Sequence, residues 1–295
     1  MMKAVERAWL AVEGLSVGDA FGEQFLEAGP EARAVLHGTR KPPARRARWH
    51  WTDDTAMALA IAQVLAEHGT VDPAALALAF GRRYAAEPAR GYGGGAHAIL
   101  SAICAGTPYP EAARMVFGGQ GSCGNGGGMR AAPVGAYFAD DLDAVVAEAV
   151  RSAAPTHVHP DGIAGAVAIA VAAAAVVAGE RDPRALIEQV VARTPPGPTR
   201  EGCQRALSML RADHVTVAAE LGNGSRVISS DTVPFAVWCA ATHLASYADA
   251  LWACTEVGGD IDTTCAMVGG IVVGAVGLAG IPAAWRAARE DLPAV

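Results

Sequence analysis

The run at residues 163–178, IAGAVAIAVAAAAVVA, is the strongest constraint on how this chain folds. It is short for a membrane span, which needs about 20 apolar residues, and a helix apolar on every side has to be wrapped by other elements. Alanine-rich segments with 3.6-residue periodicity recur through the rest of the chain and supply that wrapping, whereas strict apolar–polar alternation flanked by hairpin turns is missing. With 52% hydrophobic residues in 295, there is material for one large core. The expected fold is therefore all-α, a compact single-domain orthogonal helical bundle over residues 1–295.

Punctuation along the chain divides that bundle. A helix is expected over residues 5–21, closing near Gly18 and Asp19. Residues 29–48, with prolines and the cations Lys41, Arg45, Arg46 and Arg48, show no periodicity and are expected to form a surface loop. Asp72-Pro73 opens a helix, Arg193–Thr199 (RTPPGPT) breaks one, and Asp231–Pro234 opens another that runs through Trp238.

Two acidic clusters carry the chemistry. Asp260 and Asp262 follow Gly258-Gly259 and precede Thr263-Thr264 at the mouth of an apolar helix; Asp53 and Asp54, flanked by Thr52 and Thr55, precede another far away in sequence. Either cluster alone reads equally as a helix cap, since Asp and Thr favour N-caps and acids suit the positive end of the helix dipole. Together, four gathered carboxylates would repel one another, and two divalent cations would neutralise them. Hard Mg²⁺ or Mn²⁺ asks for such oxygen ligands, with the threonines completing the coordination.

The segment FGGQGSCGNGGGMR at residues 117–130 holds too many glycines to be an element interior. It reads as a close-approach loop whose backbone N–H groups can reach a phosphate or sugar, with a plain flexible loop as the alternative. It matches neither nucleotide-binding glycine fingerprint. His157 and His159 could suggest a soft metal, or one could face a pocket while the other faces solvent or a carbonyl. A net charge of -7 argues against a basic nucleic-acid face. The six scattered cysteines suggest reduced thiols in the cytoplasm, and Glu6 and Arg7 interrupt what would be the core of a signal peptide.

In order, TDDT at 52–55, GSCGNGGGMR at 121–130, TH at 156–157 and GGDIDTT at 258–264 resemble the ADP-ribosylglycohydrolase family. The likeness extends from GLSVGDAFG at 14–22 to GGIVVGA at 269–275. The resemblance implies an all-α fold with a binuclear metal cleft and hydrolysis of the bond between the distal ribose of ADP-ribose and an acceptor, on a protein side chain or elsewhere. It implies Thr52, Asp53, Asp54, Asp260, Asp262 and Thr263 as metal ligands, with Asp262 bridging. Gly121, Ser122, Cys123, Gly124, Asn125 and Gly126 would hold the diphosphate and its ribose; Phe117, His157, Gly93 and Gly95 would line the same cleft. The family's Glu seven residues after the GDAxG aspartate is replaced here by Leu26, which makes Glu23, with Glu27 as the second candidate, the expected partner of Asp53 and Asp54 in catalysis. A non-hydrolysing ADP-ribose-binding module, or a two-metal hydrolase of another nucleotide-linked substrate, are the rival readings.

Overall fold

The computed structural model describes residues 2–43 and 48–293, which fold into sixteen α-helices and four short 3₁₀ turns. The helices are α1 (Ala4–Glu23), α2 (Pro30–Thr39), α3 (Asp53–His68), α4 (Pro73–Ala86), α5 (Gly94–Cys104), α6 (Tyr109–Ala112), α7 (Ala132–Tyr137) and α8 (Leu142–Ala153). They continue as α9 (Pro160–Val177), α10 (Pro183–Arg193), α11 (Pro198–Ala206), α12 (His214–Leu221), α13 (Ser229–Thr242), α14 (Tyr247–Val257), α15 (Ile261–Val276) and α16 (Ala283–Ala288). The all-α expectation holds, with no strand among the described residues. Caps explain the starts: Asp72, Asp141, Asp182, Asp213 and Ser246 each accept a backbone N–H of the following turn, and Pro73 and Pro183 occupy first helical positions where no N–H is needed.

α9 is the buried centre that the Ala/Val run required. It is the one helix among the described residues long and apolar enough to cross a membrane, but 83% of that window is buried inside the protein. α7, α8, α10, α13 and α15 surround it, and one contiguous apolar core extends from Ala11 to Trp285.

α1 and α15 form the closest helix pair, and a stripe of glycines makes this possible. Gly14, Gly18 and Gly22 lie on one face of α1; a Cβ on Gly14 would overlap the Gly269 carbonyl, one on Gly18 the Cys265 carbonyl, and one on Gly22 would lie 2.6 Å from Asp262 Cα. This seam sets Asp19 of α1 beside Asp262 of α15. At its end, Phe21 stacks on Trp285 at 4.2 Å between centroids and meets Trp252 edge-on. Residues 49–51 are held by the other end of the chain: Trp49 N–H donates to Ala288 O at 2.8 Å, and Trp51 N–H to Glu290 Oε1 at 3.1 Å. Thr52 is thereby delivered to the start of α3.

Two expectations need correction. Residues 29–48 are not a loop throughout, because α2 occupies Pro30–Thr39. Its first helical position is a proline, which favours helix entry as readily as it marks a loop, and the helix has no buried residue to generate an apolar period. Arg45 and Arg46 lie outside the described residues. α13 begins at Ser229 and not at Asp231, so Pro234 sits inside the helix, its ring packed where a Gly202 side chain would be.

Candidate functional site

Each acidic cluster is positioned by a helix start. Thr52 caps α3, accepting the Asp54 N–H at 3.4 Å, which puts Asp53 and Asp54 in the first turn. Gly258 and Gly259 adopt φ of +72° and +78°, a region that suits glycine, and turn the chain into α15 with Asp260 at its cap and Asp262 in its first turn. The two starts meet over α1. One carboxylate oxygen from each of Asp19, Asp54 and Asp262 lies within 4.8 Å of the other two. Asp53, Asp54, Asp260, Asp262 and Thr263 line one cavity of about 410 Å³, whose remaining wall includes Gly93, Gly95, Phe117, the segment Ser122–Gly126 and His157.

Asp19 was legible in the sequence only as the acid that closes a helix. It is fully buried and accepts four hydrogen bonds, from Thr52 N–H (2.9 Å), Thr52 Oγ1 (2.9 Å), Thr55 N–H (3.2 Å) and Thr55 Oγ1 (2.5 Å). Despite those donors, burial pushes its pKa up to about 6. Burial, joined by the charge of Asp19, pushes Asp53 up to about 7; Asp54 and Asp262 are raised well above the ordinary range by burial and by neighbouring carboxylates. Thr52 Oγ1 lies 2.9 Å from Asp19 Oδ1 and 2.8 Å from Asp54 Oδ2, with one proton to give. One of those oxygens therefore has to hold a proton or face a cation. Asp54 Oδ1 and Asp262 Oδ1 are buried without a hydrogen-bond partner. Unsatisfied, crowded, all-oxygen donors fit a hard divalent cation.

These shifts give a signed expectation for pH. A carboxyl whose folded pKa exceeds its unfolded 3.8 holds a proton in the folded state that the unfolded chain has released, so stability declines as pH rises between about 4 and about 7. Protein stripped with EDTA should show a higher thermal midpoint at pH 5 than at pH 7.5, and Mg²⁺ or Mn²⁺ should recover most of the loss at pH 7.5. A midpoint that climbs with pH over this window in EDTA would contradict the cluster.

The glycine-rich segment is pinned from three sides. Gly121 takes φ +77° with Val158 packed where a Cβ would be, and Gly124 N–H donates to Ser122 Oγ at 3.1 Å. Ser229 N–H donates to Cys123 O at 3.0 Å and Asn125 N–H to Val227 O at 3.3 Å, which brings Arg226, Val227 and Ile228 up as an unforeseen second lip of the cavity. Asn125 points inward: its Nδ2 donates to Asp260 Oδ2 at 2.6 Å and to Thr232 Oγ1 at 3.1 Å. Its amide thus ties the loop to the acidic cluster.

Beneath the loop lies Arg130, whose place in the sequence suggests no part in the site. It is 1% exposed, with Nη1 donating to Gly126 O (2.8 Å), Nη2 to Thr156 Oγ1 (2.6 Å) and the guanidinium 4.6 Å from the Phe80 ring centroid. Burial lowers its pKa to about 9, so it stays charged at neutral pH. Thr156 Oγ1, which accepts from Arg130, also lies 2.7 Å from His157 Nδ1 and so links the guanidinium to the imidazole. His157, lowered to about 3 by burial and by the Arg130 charge, is neutral, and its Nε2 faces Gly124. The other histidine of the pair, His159, caps α9 by accepting the Asp161 N–H at 3.1 Å.

Glu23 is separated from this cavity. It lines a second one of about 670 Å³ with Leu26, Trp51, Thr52, Arg90 and Asp262, so Asp262 borders both. Glu27 is exposed and lines neither.

Residues 2–294 match the family model of the ADP-ribosylglycohydrolases. The chain is 30% identical to the ADP-ribosylhydrolase ARH3 of Bos taurus over 275 residues, covering 81% of this chain and 74% of that protein. It is also 30% identical to the uncharacterized protein YegU of Escherichia coli K12 over 329 residues, covering 98% and 92%. A solved structure titled as an ADP-ribosylglycohydrolase-related protein complex superposes with a TM-score of 0.69 at 24% identity, over 98% of this chain and 94% of that one, and so shares the fold. The resemblance read from the ordered motifs is thereby established, and the chain belongs to the ADP-ribosylglycohydrolase family as a glycoside-cleaving enzyme.

Proposed function

We propose that this protein hydrolyses the glycosidic bond between the distal ribose of an ADP-ribosyl group and its acceptor, using two divalent cations, Mg²⁺ or Mn²⁺. The observation that carries the reading is the convergence of Asp19, Asp54 and Asp262 at a cavity walled by the glycine-rich loop. Thr52, Asp53, Asp54, Asp260, Asp262 and Thr263 would hold the cations, with Asp19 orienting Thr52 and Thr55 from beneath. Bound there, the ions would supply Lewis-acid stabilisation and fix the ribose hydroxyls.

The chain's own groups divide the remaining work. Backbone N–H groups of Gly121, Ser122, Cys123 and Gly126, with a neutral His157 protonated on Nε2, would offer uncharged donors to a diphosphate and its ribose, while Gly124 and Asn125 spend theirs on Ser122 Oγ and Val227 O to fix the loop. Phe117, 61% exposed at φ +53° with its ring against Gly95, would cover the adenosine end. Gly93, where a Cβ would meet nothing within 4 Å, leaves that part of the wall open, and Gly95 gives the Phe117 ring room to lie against the backbone. Asp262 borders both cavities, so the scissile bond would lie at their junction and the acceptor would leave through the cavity of Glu23. An oxocarbenium-like transition state gains from surrounding carboxylates, and Asp53, Asp54 or Glu23 would take the proton from the attacking water.

The decisive experiment is a panel of arginine-linked, serine-linked and nucleic-acid-linked ADP-ribose substrates, each with Mg²⁺ and with Mn²⁺. Metal-dependent release of ADP-ribose from at least one supports the reading; tight ADP-ribose binding by calorimetry with no release from any would make the protein a binding module. Phe117→Ala should raise KM roughly three- to tenfold with kcat nearly unchanged, the pattern of lost uniform binding. Steady-state kinetics on the best substrate measures it.

A further inference from the structure

Outside the catalytic cleft, three side chains from three helices converge on a single point: His37 of α2, His214 at the start of α12 and Glu256 near the end of α14. His214 Nε2 lies 2.5 Å and His37 Nδ1 3.1 Å from the same oxygen, Glu256 Oε2. One ligand atom from each residue lies within 4.8 Å of the other two. We propose that His37, His214 and Glu256 are a second metal site, for a divalent transition ion of the Zn²⁺ type.

The chemistry separates this site from the catalytic one. Two imidazoles and one carboxylate are the donor set that Zn²⁺ and its neighbours prefer, and three protein ligands leave a fourth tetrahedral position for water. The side chains are 21%, 21% and 26% exposed, so solvent reaches that position. The all-oxygen cluster of Asp19, Asp54 and Asp262 instead suits a hard ion. A metal ligand must be a neutral imidazole. The His37 and His214 rings lie 5.4 Å apart between centroids, tilted at 46°, so that both reach Glu256 Oε2 from neighbouring directions.

The placement also gives the ion something to do. α2 has no buried residue and packs against α14. Beyond the histidine, its C-terminal end is held by Arg40, 3.1 Å from Asp249 and stacked 5.7 Å from the Trp252 ring centroid. An ion shared by α2, α12 and α14 would fasten this outlying helix to the body. Glu256 lies on the last turn before Gly258-Gly259-Asp260, so the same ion would brace the approach to the catalytic carboxylates.

The test uses the full chain, stripped of metal, returned to excess Mg²⁺ to fill hard sites, and titrated with Co²⁺. The expected result is one equivalent bound with the intense visible absorption of four-coordinate Co²⁺, displaced by Zn²⁺. His37→Ala and His214→Ala should each weaken Zn²⁺ binding at least tenfold, and Zn²⁺ should raise the thermal midpoint of the wild type but not of Glu256→Gln. Asp262→Asn should leave that binding intact. Weak six-coordinate absorption in the wild type would overturn the proposal whatever the variants do. So would Zn²⁺ binding that survives both histidine variants or disappears in Asp262→Asn.

Discussion

Asp262→Asn lowers turnover by about three orders of magnitude while the helical fold persists. The side chain keeps its volume, yet a carboxylate that shares its cluster with Asp19 and Asp54 becomes a neutral amide. Its Oδ1 is buried without a hydrogen-bond partner, and the neutral amide oxygen that replaces it is a much weaker ligand for a hard cation. Lewis-acid stabilisation of a transition state is worth several kcal/mol, and each 1.36 kcal/mol is tenfold in rate, so loss of the ion costs on the order of 10³-fold. Stability should move the other way. Removing one of several mutually repelling acids raises the thermal midpoint of the EDTA-treated protein at pH 7.5, because the unmet repulsion disappears along with function. Turnover and metal content measured together on the variant decide the matter; wild-type values for both would remove Asp262 from the site.

Gly18→Ala is the second large effect, and it acts without touching an acid. The new methyl would overlap the Cys265 carbonyl of α15, a backbone atom that cannot rotate away. Overpacking of a tight core typically costs 1–3 kcal/mol, and a backbone collision belongs at the upper end, about 3 kcal/mol. The helices can relieve the overlap only by separating, which carries Asp19 away from Asp262. Denaturant unfolding should register the full loss. Residual activity of the folded fraction should fall at least tenfold because misplacement of about 1 Å is costly in an active site. Gly38→Ala, inside α2 where a Cβ meets nothing within 4 Å, is the matched control and should lower neither measurement, a helical Gly→Ala change being neutral or slightly stabilising.

Much of this was legible in the chain before any coordinates. The Ala/Val run demanded a wrapped central helix, and α9 is that helix. The two Thr/Asp clusters each announced a helix mouth, and both were where expected. What could not be read was depth. Asp19 looked like a terminating acid because one position shows no trace of the four donors that Thr52 and Thr55 bring from another helix. Arg130 carried no sign of a part at all, since nothing local reveals that this cation lies buried beneath the glycine loop. Periodicity failed at α2 for the opposite reason, as a helix that buries nothing has no apolar stripe. Nothing local marks residues 222–228 as part of the cavity wall, yet Arg226, Val227 and Ile228 line it, and the loop interlocks with the Gly258-Gly259 turn through the Asp260 N–H bond to Asn223 O at 3.2 Å.

The α1–α15 seam also governs the order of events during biosynthesis. Tyr247 O–H bonds Gly14 O across a separation of 233 residues, and α15 follows later still. At about 5–20 residues per second, the emerging first helix waits on the order of 10–50 s for the partner that covers its bare ridge. Through that interval the amino-terminal half has its hydroxyl-bonded aspartate but no opposing acids, and it is exposed to aggregation or chaperone capture. Ribosome-bound intermediates halted before α15 should accordingly be protease-sensitive in α1, and catalytic competence should arrive abruptly, once α15 has emerged.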